Sequence, residues 1–322
     1  KVALRGTMCG WDEAKEIELQ TMDDQAHAYV KVNLEANTYE FKIYENDWMG
    51  FGEKDKKMTD KNNANWQFTN GGENVFLEIK TTGNYYFVWN YAAQKLTVTY
   101  PVTIDEDAAD NSKYSGYNSK IADVIVNRAF VNTYWQTITL PFSMNAAQIN
   151  AMFGANTQVA KLASSEVQSK NNDDFVLNFD FVNTIDAGTP YLIKPANNVA
   201  EGAKVEGVVI NTNTTNITTD DAWMIAVLDK KTHSNAKDYW LAENGYLYPF
   251  NNTEIKALRA YFYFPNISTA SPVRARVAFN ENVETEVENI TAPEIKAIKV
   301  IQNGQLIIIR DGVKYNVQGQ KL

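Results

Sequence analysis

With 322 residues, 44% hydrophobic and 21% charged side chains, the chain has the composition of a globular protein of two or three domains, not of a disordered segment. A net charge of −9 argues against nucleic acid as a partner, because phosphate binding needs clustered Lys and Arg, and it disfavours an anionic membrane surface. No apolar run approaches the ~20 residues of a membrane-spanning helix, and the single cysteine, Cys9, leaves no intrachain disulfide.

Counts of 7 Trp, 17 Tyr and 15 Phe, with few helix-like segments, predict an all-β protein rich in turns. Residues 1–101 read as one unit. "VALRG" leads to a turn at Cys9-Gly10-Trp11-Asp12, and Cys9, with no apolar segment before it, is not read as a lipid anchor. "AYVKVNL" and "YEFKIYE" alternate, the second setting Tyr39, Phe41 and Ile43 on one face and Glu40, Lys42 and Tyr44 on the other. A polar loop follows, then "NVFLEI", "NYYFVWN" and "KLTVTY", punctuated by Gly71-Gly72, Thr82-Gly83 and Ala92-Ala93. About seven strands in a hundred residues is the signature of an antiparallel β-sandwich.

Residues 102–118 are acidic, small and aperiodic and read as a linker. Strands resume in 119–280, a larger β-rich domain. One short helix interrupts it, capped by Ser143 or Asn145, with Ile149, Met152 and Phe153 as its apolar stripe and Gly154 as its stop. The Asn244-Gly245 pair predicts a hairpin turn. Residues 281–294 read as a second linker. Residues 295–322 form a small β-meander turning at Asn303-Gly304 and Asp311-Gly312, too short to bury a core alone.

Chemistry-bearing constellations are sparse. His27 and His233 are the only histidines and fall in different domains, no Ser occupies a Gly-x-Ser-x-Gly turn, and no His or Cys pair has metal-ligand spacing. The acidic pairs Asp23-Asp24, Asp173-Asp174 and Asp220-Asp221 lie in predicted turns, where solvated turn-formers are the ordinary reading. The expectation is a non-enzyme with no metal and no cofactor. Aromatic residues in polar loops offer a different chemistry. Trp48 stands in a loop bounded by Gly50 and Gly52, and Trp66 follows the Asn-rich "NNAN". A flat indole covers the C–H face of a sugar ring, while Lys and Asn bond its rim of hydroxyls. Trp48 and Trp66 are thus the expected exposed platforms, with Lys42 and Tyr44 beside them, whereas Trp89 and Trp135 read as packing residues.

Three stretches, "LRGTMCGWDEAKEIEL", "YEFKIYENDWMGFG" and "NGGENVFLEIKTTGNYYFVWNYAAQKLTVTY", resemble the starch-binding modules of Bacteroidetes outer-membrane Sus-type lipoproteins. They are more loosely similar to glycogen-binding domains of the immunoglobulin-like E-set class. The shared elements are a Gly-Trp turn, a Phe-Lys strand running into a Trp loop, a Gly-Gly-x-Asn turn and a Gly-Asn-Tyr-Tyr closing strand. The resemblance covers residues 1–100 and implies α-glucan stacking on Trp48 and Trp66 with help from Lys42 and Asn74. Cys9 stands where that family has a small polar residue, and the Asn62–Asn65 stretch does not align cleanly. "YWQTITLPFSMNAAQINAMFG" and the tail "IIIRDGVKYNVQGQKL" resemble β-rich and C-terminal segments of surface proteins from the same phylum, which implies a cell-surface, outer-membrane or secreted location. The expected partner is a polysaccharide or oligosaccharide. The alternatives are an adhesin-type surface protein that binds other surface proteins, or a glycoside-active enzyme with two facing carboxylates.

Overall fold

The computed structural model describes residues 1–51, 57–59, 66–109, 119–169, 174–267, 273–280, 298–302, 305–310 and 313–315. The protein is all-β, with a single α-helix among the described residues. Residues 1–281 form one compact unit and 282–322 a second.

The N-terminal part contributes β1 (Val2–Gly6), β2 (Ile17–Thr21), β3 (His27–Leu34), β4 (Asn37–Glu45), β5 (Asp47–Phe51), β6 (Lys57–Met58), β7 (Trp66–Asn70), β8 (Val75–Ile79), β9 (Gly83–Asn90) and β10 (Lys95–Thr99). Antiparallel pairing runs β1-β2-β3-β9-β10-β7-β5-β4 and returns to β1, so the hydrogen-bonded circuit closes on itself. Two strands make the corners. β2 gives its first half to β1 and its second to β3, and β7 gives Trp66 and Gln67 to β10 but Phe68 to Asn70 to β5. The strands expected from the sequence therefore form a curled, barrel-like sheet. Closure removes the open edges of the circuit itself, while β8 and then β6 extend beside β4.

The core of this part follows from period-2 alternation. Leu4, Phe41, Ile43, Phe68, Leu77, Phe87, Trp89, Leu96 and Val98 are all fully buried, and each large side chain contributes about 1.5–3 kcal/mol by leaving water. Edge-to-face ring pairs, Phe41 with Phe87 at 5.8 Å and Phe68 with Trp89 at 5.3 Å, fix their relative orientation.

The chain then continues without a break into β11 (Val102–Asp105), which pairs in parallel with β12 (Ile121–Asn127). Residues 102–105 are thus strand and not linker. The next residue, Glu106, is 7% exposed and receives Lys256 at 2.9 Å and Arg259 at 2.5 Å. The acidic composition that suggested a solvated spacer serves an internal ion-pair cluster instead. Residues 110–118 lie outside the described residues.

Beyond this come β13 (Gln136–Ile138), α1 (Ala146–Phe153), β14 (Gln158–Val167), β15 (Asp174–Val182), β16 (Tyr191–Lys194), β17 (Ala203–Val209), β18 (Ile217–Thr218), β19 (Trp223–Val227), β20 (Lys231–His233), β21 (Asp238–Leu241), β22 (Tyr246–Pro249), β23 (Thr253–Ile255), β24 (Arg259–Tyr263) and β25 (Arg274–Phe279). They form a ten-stranded sheet in the order β13-β16-β14-β15-β25-β22-β21-β24-β19-β18, a small β11-β12-β17 sheet and the ribbon β20-β23. Of the two caps the sequence offers for α1, Asn145 is the one used: it accepts from the Gln148 N–H at 2.9 Å while the Gln148 side chain accepts from the Asn145 N–H at 3.0 Å. The β21–β22 hairpin also forms, with Gly245 in the left-handed region at φ 81°.

Asp123 on β12 joins the two parts of the compact unit. It is fully buried and accepts hydrogen bonds from Tyr86 Oη at 2.6 Å, Asn84 Nδ2 at 3.0 Å and the Gly207 N–H at 3.2 Å, with Lys204 Nζ at 2.9 Å. Burial drives this carboxyl's pKa up, but the donors from Tyr86, Lys204, Asn84 and Gly207 outweigh it and hold the group below its usual value.

In the second unit, β26 (Ile298–Gln302), β27 (Gln305–Arg310) and β28 (Val313–Tyr315) pair as an antiparallel meander. Its Asn303-Gly304 and Asp311-Gly312 turns and the 281–294 segment lie outside the described residues.

Candidate functional site

The residues singled out from sequence converge on β4 and its neighbours. Phe41 and Ile43 point into the core, so Glu40, Lys42 and Tyr44 stand on the opposite face. On one side β1 sets Ala3 opposite Tyr44 and Arg5 opposite Lys42. On the other, β5 sets Trp48 opposite Tyr44 and turns Met49 inward. The stretch around Trp48 is therefore a strand, not a loop, and its register rather than loop freedom places the indole.

A tight turn makes this register possible. Asn46 adopts the left-handed region at φ 58°. Asp47 Oδ1 accepts from the Trp48 N–H at 2.7 Å and Oδ2 accepts from Asn70 Nδ2 at 3.0 Å. The Trp48 N–H, then Asn70, hold the Asp47 carboxyl below its usual pKa. Gly50 then passes so close to the Gly71-Gly72 turn that a Cβ on it would lie 2.1 Å from the Gly72 carbonyl oxygen. Only glycine allows that backbone approach.

Trp48 is partly exposed and meets Tyr44 edge-to-face, with ring centres 5.5 Å apart and planes at 74°. The Arg5 guanidinium lies over both rings, 4.3 Å from the Tyr44 centre and 5.1 Å from that of Trp48. Arg5 is itself fixed by an ion pair to Glu16 and another to Glu13 at 3.2 Å. Glu16 is held below its usual pKa first by its bond to Lys1, against the cost of its burial, with Arg5 adding to the effect. Farther along β4, Asn74 Nδ2 donates to Glu40 Oε1 at 2.6 Å, while Lys42 has no carboxylate partner among the described residues. The face thus presents two aromatic rings, an ammonium, a carboxylate and an amide.

Trp66 is the correction. It opens β7 opposite Leu96 and is 7% exposed, packed in the N-terminal core with Phe68. Its parity with Phe68, and not the Asn-rich run before it, determines which way it points. Asn62–Asn65 and Gly52 lie outside the described residues. Trp89, by contrast, is fully buried as expected, donating from Nε1 to Glu45 Oε2 at 2.9 Å, and Trp135 stacks on Phe279 at 4.4 Å.

Sequence reasoning passed over Arg5. The signal was present in "VALRG", where alternation puts Arg5 and Ala3 on the face opposite Val2 and Leu4, but choosing between neighbours for Arg5 requires the pairing of β1 with β4. His27 is tied to Asp24 through Nδ1 at 2.6 Å and lies 2.8 Å from Asn90 Nδ2 through Nε2. Among the described residues no three or more His, Cys, Asp or Glu gather as metal ligands, and no helix is long and apolar enough to cross a membrane.

Geometry and chemistry define an all-β protein with an ordered aromatic and polar face on its N-terminal part. No family model matches the chain, and neither curated proteins nor solved structures yield a match.

Proposed function

We propose that this chain binds glycan without catalysis, holding an α-glucan on the outward face of β4 and β5, as a cell-surface or secreted protein of the Bacteroidetes Sus type. The observation that carries this reading is the register that sets Trp48 opposite Tyr44, with Lys42 next on the same face and Asn74 bonded to Glu40. The rings offer apolar faces to the C–H groups of a sugar. Lys42, Asn74 and Glu40 supply donors and acceptors for its hydroxyls. Arg5 and Asp47 hold the rings before the ligand arrives, which lowers the ordering cost of binding.

The resemblance of residues 1–100 to starch-binding modules supports the same ligand, and under it the curled N-terminal sheet is an immunoglobulin-like, E-set sandwich variant. Trp66 has no part in the contact, because it is in the core. A shallow face of this kind binds weakly, at millimolar to micromolar Kd, or about −4 to −8 kcal/mol.

The test is native affinity electrophoresis of the full chain through starch. Trp48→Ala combined with Tyr44→Ala is expected to abolish retardation while circular dichroism stays that of the parent. Undiminished retardation by the double variant refutes the assignment.

A further inference from the structure

A second feature, remote in sequence from β4, has the build of a ligand site. A cleft of about 480 Å³ opens between the segment before β13, the β21–β22 hairpin and the β23–β24 segment. That is within the range of small-molecule sites, roughly 300–1,000 Å³. Its aromatic walls are Tyr134, Trp135, Trp240 and Phe250.

Trp240 is 42% exposed, an unusual position for an indole with no partner covering it. Its ring lies 5.8 Å from that of Tyr248, tilted by 36°, and Tyr248 is itself 43% exposed. The pairing of Trp240 with Tyr248 across β21 and β22 fixes both on the outward face of the large sheet. The aromatic lip of the cleft therefore continues onto open surface, as a site for a chain longer than the cleft requires.

The walls are also rigid. Trp135 is stacked on Phe279 at 4.4 Å. Arg259 and Lys256 are both anchored on Glu106, at 2.5 Å and 2.9 Å, and Lys230 engages Glu254 at 3.3 Å. Tyr134 and Glu243 both line the cleft, and burial, then the nearby Glu243 carboxylate, raises the phenol's pKa.

The charge pattern selects the ligand class. Two cations, Lys256 and Arg259, and two anions, Glu243 and Glu254, line the cleft, so their charges balance, and among the described residues all but Glu243 are held in ion pairs. An anionic ligand would have to draw Lys256 or Arg259 away from Glu106, and a cationic one would have to sit in the same cleft as both of those cations to reach Glu243. A neutral polyhydroxylated ligand would not: its hydroxyls can donate to the free lone pairs of the carboxylates and accept from the remaining N–H groups, while its C–H faces lie on Trp240 and Tyr134.

We propose that this cleft and the Trp240–Tyr248 lip are a second carbohydrate-binding site, which takes a segment of a neutral oligosaccharide. It shares its ligand class with the reading given above but occupies other residues, so the two stand or fall separately. Two sites on one chain would act together on a long polysaccharide, converting the second contact into an intramolecular one.

The experiment is calorimetric titration of the full chain with linear oligomers of α-glucan, β-glucan, mannan and xylan, and with oligogalacturonate as a charged control. At least one neutral oligomer is expected to bind, with affinity reduced ten-fold or more by Trp240→Ala and unchanged by Trp48→Ala at the same site. Tyr134→Phe, which keeps the ring and removes the hydroxyl, is expected to weaken binding several-fold with an unaltered melting temperature. Failure of every neutral oligomer to bind overturns the inference, as does insensitivity to Trp240→Ala or tighter binding of oligogalacturonate. Binding that is lost in Trp240→Ala but untouched in Trp48→Ala would uphold the cleft and remove the β4 face from the ligand's path. The reverse pattern would do the opposite.

Discussion

The guanidinium of Arg5 sits 4.3 Å from the centre of the Tyr44 ring and 5.1 Å from that of Trp48, so one cation on β1 touches both rings of an edge-to-face pair. Such a cation–π contact contributes about 0.5–2 kcal/mol, depending on how far it is desolvated. Here its effect falls on two rings at once. Arg5→Met keeps the length of the side chain and removes its charge. It is expected to weaken starch retention about 3- to 10-fold by freeing Tyr44 and Trp48 to change rotamer, measured by affinity electrophoresis beside the parent.

Trp48 and Trp66 separate by environment. Trp66→Ala empties a space in the core and is expected to cost about 3–5 kcal/mol in denaturant unfolding. Trp48→Ala, on a partly exposed ring, is expected to cost less than half of that while removing more of the glycan affinity. Equal destabilisation by the two substitutions would contradict the register of β5.

Gly50 tests the same register from the backbone side. Its substitution by Ala puts a methyl group against the Gly72 carbonyl oxygen, a rigid main-chain atom. The expected penalty is about 2 kcal/mol or more, the size of other overpacking changes, together with loss of binding as β5 and Trp48 shift. Hydrogen exchange at the Gly71 amide, which donates to the Trp48 carbonyl at 2.8 Å, reports the displacement directly.

Asp123 gives a pH dependence whose sign is fixed by its direction of shift. The folded carboxyl titrates below the unfolded value, so it binds its proton less readily in the native state. Its contribution is present above the unfolded pKa, about 4, and is lost as pH falls from there through the folded value. Unfolding free energy should therefore drop on acidification through that window. Asp123→Asn is expected to flatten the drop and, by leaving donors from Tyr86 and Lys204 poorly matched, to cost about 2–4 kcal/mol at neutral pH. A wild-type acid profile that Asp123→Asn leaves unaltered would remove Asp123 as its source.

The sequence alone determined whatever depends on local periodicity. Phe41 and Ile43 inward with Lys42 and Tyr44 outward follows from the two-residue repeat of a strand, and the Gly154 stop of α1 follows from helix-end chemistry, although the sequence left its cap open between Ser143 and Asn145. The all-β class was legible for the same reason. Tertiary structure decided everything that depends on which strands meet. Composition made Trp66 a loop residue, whereas pairing with β10 placed it in the core. The acidic run after Pro101 read as a spacer, but the distant cations Lys256 and Arg259 made Glu106 an anchor. Arg5 became part of the candidate site only because β1 lies beside β4, and the closed circuit arises because β2 and β7 each share their edges between two neighbours. Alternation tells each residue which face it is on. Only the long-range hydrogen-bond ladder tells it what stands beside it, because that choice is made by burying the whole apolar surface at once.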